Sequence, residues 1–208
     1  MMGPEGRLYL FSSELERSAA FPDGPPEGIA TAITGVGLID AAAGTARAID
    51  RKGASEIVFL GTCGAHRASG LEIGDIVLAS DVSLGSGDVA SGEMRVPSLM
   101  PSSIPADGRL TNLIAEGFAG RGIGTRRGRI SCTLGITETD RLADVLYGFD
   151  RSDAENMEAF AVLRAAADIP VAVALGVTNI VGAGGGKGWL ANFRAMMRRV
   201  AEIIDPGE

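Results

Sequence analysis

Short apolar runs alternate along the chain with segments in which apolar residues recur every three or four positions. A short apolar run bounded by glycine or polar residues predicts a buried strand, whereas the three- to four-residue spacing predicts a helix. The runs predict strands at 8–11, 29–34, 57–60, 75–80, 129–133 and 170–177. The spacing predicts helices at 38–51, 109–121, 137–146, 156–167 and 189–204. Gly53 is expected to end the first of these helices and Thr137 to cap the third.

The predicted strands are mostly apolar throughout rather than alternating between apolar and polar residues. Such strands are typical of a sheet that helices cover on both faces. Strands that alternate with helices therefore predict a layered α/β fold. The segment 82–105 is polar, contains glycine and proline and has no period, so we expect a long loop there. The 208 residues show no linker and no internal repeat, and we expect a single domain over 1–208.

Composition and net charge limit the classes of binding partner that we expect. Glycine is frequent, with 30 residues of 208, and aromatic residues make up only 5%. A net charge of -7 without a basic run makes nucleic acid and an anionic membrane poor partners. Cys63 and Cys132 are too few for a disulfide framework, and no apolar run is long enough to cross a membrane. Without a secretion signal at its start, we expect a cytoplasmic protein.

Two features that invite cofactor or metal chemistry fail on spacing or number. The glycine-rich segment 182–188 follows Val181 where a phosphate-binding loop needs glycine, and it has Gly188 where that loop needs serine or threonine. We therefore expect a flexible loop. His66 is the only histidine, so it cannot build a metal cluster alone, and no nucleophile elbow accompanies it. We expect neither a metal nor an organic cofactor.

Four polar segments lie where strands are expected to end, at 12–16, 61–64, 155–158 and 178–182. Open α/β sheets bind ligands at the carboxyl ends of their strands, so we expect these segments to meet there. The third segment places carboxylates beside Met157 at the start of an apolar helix. The alternative interpretation is that these acids only complement the helix dipole.

Four short motifs follow one another in order. They are Gly-Val-Gly-Leu-Ile-Asp-Ala-Ala at 35–42, Leu-Gly-Thr-Cys-Gly-Ala at 60–65, Leu-Glu-Ile-Gly-Asp-Ile-Val at 71–77 and Asn-Met-Glu-Ala at 156–159. Together they resemble the nucleoside phosphorylase and nucleosidase superfamily. The resemblance implies a three-layer α/β/α fold with a mixed central sheet, a small purine nucleoside as ligand, and a homodimer. Thr-Asn-Ile-Val-Gly at 178–182, followed by Trp189, is similar to the futalosine hydrolase branch.

The resemblance assigns the ribose side of the site. It implies that Glu158 accepts hydrogen bonds from two ribose hydroxyls, that Met157 packs against the sugar, and that Thr62 and Gly64 line this side. A carboxylate suits this position because breaking an N-glycosidic bond builds positive charge on the ribose. We expect the helix N-terminus to help keep Glu158 ionised.

The base side differs from most nucleosidases of the superfamily. They carry an aspartate that can protonate the purine, whereas this chain has Asn179. An amide cannot act as a general acid, but it can donate a hydrogen bond to the O6 carbonyl of a 6-oxopurine. The resemblance adds Thr178 to this site and places Gly135, Ile136 and Asn156 against the base. A merely turn-forming Asn179 is the alternative.

The nucleophile decides between hydrolysis and phosphorolysis. By resemblance, Glu16 corresponds to the carboxylate that activates water in the nucleosidases; Glu14, or a purely structural charge at a helix start, is the alternative. Phosphate as nucleophile needs positive charge, and the phosphorylases carry an arginine where this chain has Phe59 and Leu60. Hydrolysis is therefore preferred.

The sequence as a whole predicts a nucleosidase that hydrolyses a 6-oxopurine nucleoside, with Glu16 and Asn179 as catalytic residues. Futalosine is the first choice of substrate, with release of hypoxanthine in menaquinone biosynthesis. The alternatives within the superfamily are a methylthioadenosine/S-adenosylhomocysteine-type nucleosidase and a purine nucleoside phosphorylase. A nucleoside-binding protein without catalysis is the alternative from another class.

Overall fold

The computed structural model describes residues 6–204, in which strands and helices alternate. The strands are β1 (Arg7–Phe11), β2 (Ala30–Ile33), β3 (Glu56–Ala65), β4 (Ile76–Gly85), β5 (Ser103–Pro105), β6 (Arg126–Thr133), β7 (Ala154–Asn156) and β8 (Val171–Ile180). The α-helices are α1 (Glu14–Ala20), α2 (Leu38–Lys52), α3 (Gly87–Ala90), α4 (Gly108–Gly120), α5 (Asp140–Asp150), α6 (Ala159–Ala165) and α7 (Gly185–Ala201). Short 3-10 turns occur at Arg67–Ser69 and Glu202–Ile204.

The strands form one mixed sheet that partly closes on itself. Strands β2, β1 and β3 are parallel neighbours. Strand β3 also pairs in parallel with β8 and, over its last two residues, in antiparallel orientation with β7. Because β8 pairs with β4, β4 with β6 and β6 with β7, these strands and β3 complete a ring of pairings. The predicted mixed sheet is confirmed, and the carboxyl end of β3 lies between β7 and β8.

Apolar side chains of the central strands are buried on both faces of the sheet. On one face, Leu10 and Phe59 share a core with residues of α2 and α6. On the other face, Phe11 and Leu60 share a core with residues of α1, α4 and α7. Helices therefore cover both faces, and the predicted three-layer α/β/α fold is confirmed. Within residues 6–204, no helix is long and apolar enough to span a membrane.

Capping side chains fix the starts of helices α1 and α4. At α1, the Ser13 hydroxyl accepts a hydrogen bond from the backbone N–H of Glu16 at 3.2 Å. At α4, the Asp107 carboxylate accepts from the backbone N–H of Leu110 at 2.7 Å. Such caps satisfy backbone donors that the first turn of a helix leaves without a partner. The cap at Ser13 starts α1 immediately after β1 and so places Glu16 near the end of that strand.

Two predicted helices begin later than the sequence pattern indicates. The helix expected at 156–167 begins at Ala159, because Ala154–Asn156 pairs with β3 and β6 as strand β7. The helix expected at 137–146 begins at Asp140, and its cap is Thr139 rather than Thr137. The Thr137 hydroxyl instead donates to a buried carboxylate.

Three segments are more regular than predicted. The segment 82–105 is not one long loop: β4 continues to Gly85, α3 follows, and β5 pairs with β4 at the sheet edge. The segment 182–188 is not wholly a flexible loop, because α7 already begins at Gly185. Helix α1 was not predicted, since its seven residues are too short to reveal a periodic pattern.

Candidate active site

A cavity of about 380 Å³ opens where β1, β3, β7 and β8 end. Each of the four polar segments at 12–16, 61–64, 155–158 and 178–182 contributes residues to its wall. The prediction that these segments meet is therefore confirmed. Helix α7 completes the wall with Gly185, Gly186 and Trp189, and apolar contacts come from Leu15 and Val36.

Three carboxyl groups line this cavity, and among the described lining residues there is no lysine, arginine or histidine. The carboxyls belong to Glu16, Glu155 and Glu158, which are at most 8% exposed. Burial without a positive partner disfavours the charged form, and it raises the pKa of all three groups. Perturbed carboxyls in a cleft are candidates for proton transfer or for binding positive charge.

Two hydroxyl groups hold the Glu16 carboxylate. Ser12 Oγ donates to Oε2, and Thr62 Oγ1 donates to Oε1 at 2.9 Å. These bonds favour the ionised form, but burial has the larger effect and the pKa of Glu16 lies above its ordinary value. The backbone N–H of Ser12 adds a further bond, and a carboxylate with about four acceptor positions can still accept from a ligand or a water. Glu14, the alternative base, is exposed and forms an ion pair with Arg17 at 2.7 Å.

Glu158 lies across the cavity, at the residue that precedes the first turn of α6. Its Oε1 accepts from the backbone N–H of Gly37 at 2.8 Å, and its Oε2 accepts from Asn156 Nδ2 at 3.1 Å. Burial, and to a smaller extent the charge of Glu16, nevertheless raise the pKa of Glu158 to about 7. The backbone N–H groups of Gly37 and Met157 do lower the pKa of Glu158, but desolvation has the larger effect and outweighs the expected help from the helix N-terminus.

Asn156 joins three parts of the site through one amide. Its Nδ2 donates to the backbone carbonyl of Thr62 at 3.0 Å as well as to Glu158. Its Oδ1 accepts from the backbone N–H groups of Glu158 and Ala159, both at 2.8 Å. The amide thus fixes β3, the Glu158 carboxyl and the start of α6 relative to one another.

Glu155 lies on β7, opposite Gly64 of β3, and holds the loop after β6. Its Oε1 accepts from the backbone N–H of Thr137 at 3.0 Å, and its Oε2 accepts from the Thr137 hydroxyl at 2.5 Å. This clamp fixes the residue next to Ile136, whose side chain lines the cavity. Burial raises the pKa of Glu155 against the effect of both bonds.

Asn179 lies beside Gly64 on the other flank of β3. A Cβ atom at Gly64 would lie 2.7 Å from Asn179 Nδ2, so the amide occupies space that only glycine leaves free. Asn179 Nδ2 donates to the carbonyl of Ile180 at 3.3 Å, which leaves its second proton for a ligand. The Thr178 hydroxyl lies 2.9 Å from Asn179 Oδ1 and 3.1 Å from the carbonyl of Cys63.

Most of the predicted site residues reach the cavity. Those that line it are Glu16, Thr62, Gly64, Ile136, Asn156, Met157, Glu158 and Asn179. Two do not. Thr178 is fully buried behind Asn179 and can act only through it. Gly135 is exposed and precedes the lining residue Ile136.

The sequence motifs give no role to Ser12, Glu155 and Trp189, which are polar residues that line the cavity. Ser12 and Glu155 belonged to the polar segments already singled out, but nothing separated them from their neighbours. Trp189 was noted only as part of a motif. As for metals, residues 6–204 contain no group of three or more His, Cys, Asp or Glu side chains suited to hold one.

The three-layer α/β/α fold with a cavity at its strand ends agrees with the nucleoside phosphorylase resemblance of the sequence motifs. Residues 27–205 match the model of the phosphorylase superfamily. The chain belongs to this superfamily. No curated protein matches the chain by sequence at a significant level.

Solved structures share the fold at low sequence identity. A futalosine hydrolase mutant from Helicobacter pylori strain 26695 is 16% identical, with a TM-score of 0.82 over 95% of this chain and 96% of the other. A mutant 5′-methylthioadenosine/S-adenosylhomocysteine nucleosidase from the same species, with 5′-methylthioadenosine in its active site, is 16% identical with a TM-score of 0.83 over 97% of both chains. The Neisseria meningitidis nucleosidase in complex with methylthio-immucillin-A is 18% identical, with a TM-score of 0.82 over 95% and 96%.

Proposed function

We propose that the chain is a nucleosidase that hydrolyses the N-glycosidic bond of a purine nucleoside. One observation carries the proposal: the cavity is lined by three buried carboxyls and, within the described residues, by no cation. Phosphate in such a cavity would meet negative charge without compensation, whereas water can be activated by a carboxylate. The same carboxyls suit the positive charge that develops on the sugar.

In this proposal Glu158 and Met157 hold the ribose. An oxocarbenium-like sugar carries positive charge in the transition state, and a nearby carboxylate stabilises it more than it stabilises the neutral substrate. The bonds from Gly37 and Asn156 orient the Glu158 carboxyl and leave acceptor positions for ribose hydroxyls. Thr62 and Gly64 line the same side of the cavity.

Glu16 acts as the general base in this proposal. Its carboxylate lies in the wall and is oriented by the hydroxyls of Ser12 and Thr62. A carboxyl whose pKa is raised by burial takes a proton from water more readily than an exposed one does. We expect Glu16→Gln to lower kcat by about 100- to 10,000-fold, the usual scale of general-base catalysis.

Asn179 recognises the base and stabilises it as it gains electrons. The free Nδ2 proton suits the O6 carbonyl of a 6-oxopurine, while the 6-amino group of adenine offers a donor instead. Ile136 packs on the base, Asn156 supports the cavity wall, and Thr178 orients the amide from behind. Asn179→Asp should shift the preference from hypoxanthine toward adenine nucleosides; an unchanged ratio of kcat/KM values would contradict this assignment.

The preferred substrate is futalosine, because the motif at 178–182 with Trp189 is similar to that branch of the superfamily. A nucleoside with an uncharged 5′ substituent, such as methylthioadenosine, is the second candidate. The apolar side chains of Leu15 and Val36 on the cavity wall favour it.

We also infer a homodimer. Two large apolar residues of the cavity wall are exposed, Val36 at 55% and Ile136 at 59%, and Ile39 at 80% and Leu134 at 78% lie close to them in sequence. Neighbouring exposed apolar residues of this size favour a protein interface. Light scattering of the purified chain should give twice the monomer mass.

The first experiment measures base release by chromatography from futalosine, inosine, methylthioadenosine and S-adenosylhomocysteine, each with and without phosphate. Release of hypoxanthine from futalosine without phosphate is the expected result. Release that requires phosphate would contradict hydrolysis and the role of Glu16. Tight nucleoside binding without turnover, even at high enzyme concentration, would favour the non-catalytic alternative.

A further inference from the structure

The glycine-rich start of α7 lets this helix approach β8 closely. A Cβ atom at Gly188 would lie 2.9 Å from the Cβ of Asn179, which is too short for two carbon atoms. Glycine at this position therefore permits the first turn of α7 to lie against the strand. As a consequence, Trp189 comes within hydrogen-bond distance of Thr62 at the carboxyl end of β3.

Trp189, Thr62 and Glu16 form a continuous chain of hydrogen bonds. The indole Nε1–H donates to Thr62 Oγ1 at 3.1 Å, and the Thr62 hydroxyl donates to Glu16 Oε1 at 2.9 Å. An indole N–H can only donate, so Thr62 must accept from it and its single proton is left for Glu16. Stacking on the fully buried Phe193, with ring centroids 4.7 Å apart and planes at 12°, holds the indole in place.

We propose that Trp189 is a positioning residue that acts through Thr62 to orient Glu16 and keep it able to accept a proton from water. The inference rests on the proposed role of Glu16 as general base. The bond from Thr62 favours the ionised carboxylate and opposes the effect of burial. Without the indole N–H, the Thr62 hydroxyl rotates more freely, its bond to Glu16 weakens, and protonated Glu16 is favoured.

Other ionisable groups surround Glu16 and must be separated from this effect. Glu158 interacts with it across the cavity, and Glu155 lines the same cavity. On β3, Cys63 carries a buried thiol whose pKa is strongly raised. The remaining charges on α1 and on the first turns of α7 are Glu14, Arg17, Lys187 and Arg194.

The first test is the pH dependence of kcat/KM. Trp189→Phe keeps an aromatic ring for Phe193 and removes the N–H. We expect the acidic limb of the profile, where kcat/KM falls as the pH is lowered, to move to higher pH. On that limb kcat/KM should fall about three- to tenfold, the scale of one hydrogen bond. The variant should affect kcat more than KM. Thr62→Val should move the limb at least as far, and Thr62→Ser should leave it near the wild-type position. An acidic limb that Trp189→Phe leaves in place would overturn the proposal.

A double variant tests whether Trp189 acts through Thr62. In Thr62→Val the hydroxyl is gone, so adding Trp189→Phe should move the acidic limb no further. Shifts that add in the double variant would contradict action through Thr62, since they would mean that the indole reaches Glu16 by another route.

A second readout needs no turnover, because Trp189 is the only tryptophan of the chain. We expect its fluorescence to change with pH at the midpoint of the acidic limb. Glu16→Gln should abolish this change, and Glu158→Gln, the matched control, should keep it. Turnover retained by Glu16→Gln would overturn the proposed base itself. Loss of turnover in Glu16→Gln, with a fluorescence midpoint that Thr62→Val does not move, would overturn only the role of Trp189.

Discussion

At the amino end of β3, Glu56 meets two arginines, whereas no arginine within residues 6–204 pairs with the carboxyls around the other end of the strand. Arg7 lies 2.8 Å from the Glu56 carboxylate, and Arg109 binds its second oxygen. The hydrogen bond from Arg109 is the main reason why the pKa of Glu56 is below its ordinary value. Around the opposite end, burial raises the pKa of Glu16 and Glu158.

The difference separates a structural carboxylate from carboxylates kept for chemistry. Glu56 and its arginines link β1, β3 and α4, and the two positive charges more than neutralise the carboxylate. Glu16 and Glu158 are held by hydroxyl, amide and backbone N–H donors, which orient a carboxyl without neutralising it. When they are ionised, carboxyls arranged in this way destabilise the fold. Their charge is not neutralised by a protein cation, so it can stabilise a positively charged ligand or transition state.

The largest expected effect is on turnover. Glu158→Gln should lower kcat by about 100- to 1,000-fold, since it removes the charge that meets the developing positive charge of the sugar. Steady-state rates of base release measure this loss. Glu56→Gln is the matched control at the other end of β3 and should leave kcat within about twofold. Equal losses in both variants would show that the two ends do not differ in function.

The next effect is the pH dependence of stability. The pKa of Glu158 is raised to about 7, so between pH 4.5 and 7 the folded chain binds more protons than the unfolded chain. Stability contributed by this group therefore falls as the pH rises through that window. Glu158→Gln should flatten the fall by on the order of 3 kcal/mol, measured by denaturant unfolding at pH 5 and pH 8. The same slope in both proteins would contradict the raised pKa.

The smallest expected effect is on the stability that Glu56 contributes, which falls as the pH is lowered rather than raised. Its pKa is lowered in the folded state, so its contribution is present above the ordinary pKa and is lost as the pH falls through the lowered value. Glu56→Gln should cost about 1 kcal/mol of unfolding free energy at pH 7, as a partly exposed ion pair does. At pH 3, below the ordinary pKa of Glu56, the difference should be smaller than at pH 7. A constant difference at both pH values would argue against the ion pairs as its source.

The sequence pattern predicted the central strands and the meeting of the four polar segments, because burial on both faces leaves continuous apolar runs. It failed at Ala154–Asn156, where a three-residue strand precedes a helix and pairing with β3 and β6 overrides helix propensity. It could not show that the described residues of the cavity wall include no cation, since that depends on which side chains from distant segments meet. The raised pKa of Glu158 was missed for the same reason: desolvation is a property of the packed fold.

The amide of Asn156 makes the site cooperative. It bonds at once to the end of β3, to the Glu158 carboxyl and to the first backbone donors of α6. If α6 frayed from its first turn, buried donors and acceptors of all three partners would lose their hydrogen bonds, which costs free energy. Local unfolding is therefore not expected to start at the first turn of α6, because the end of β3, Glu158 and this turn would have to open together. The carboxyls that destabilise the fold thus lie in one of its most strongly connected parts.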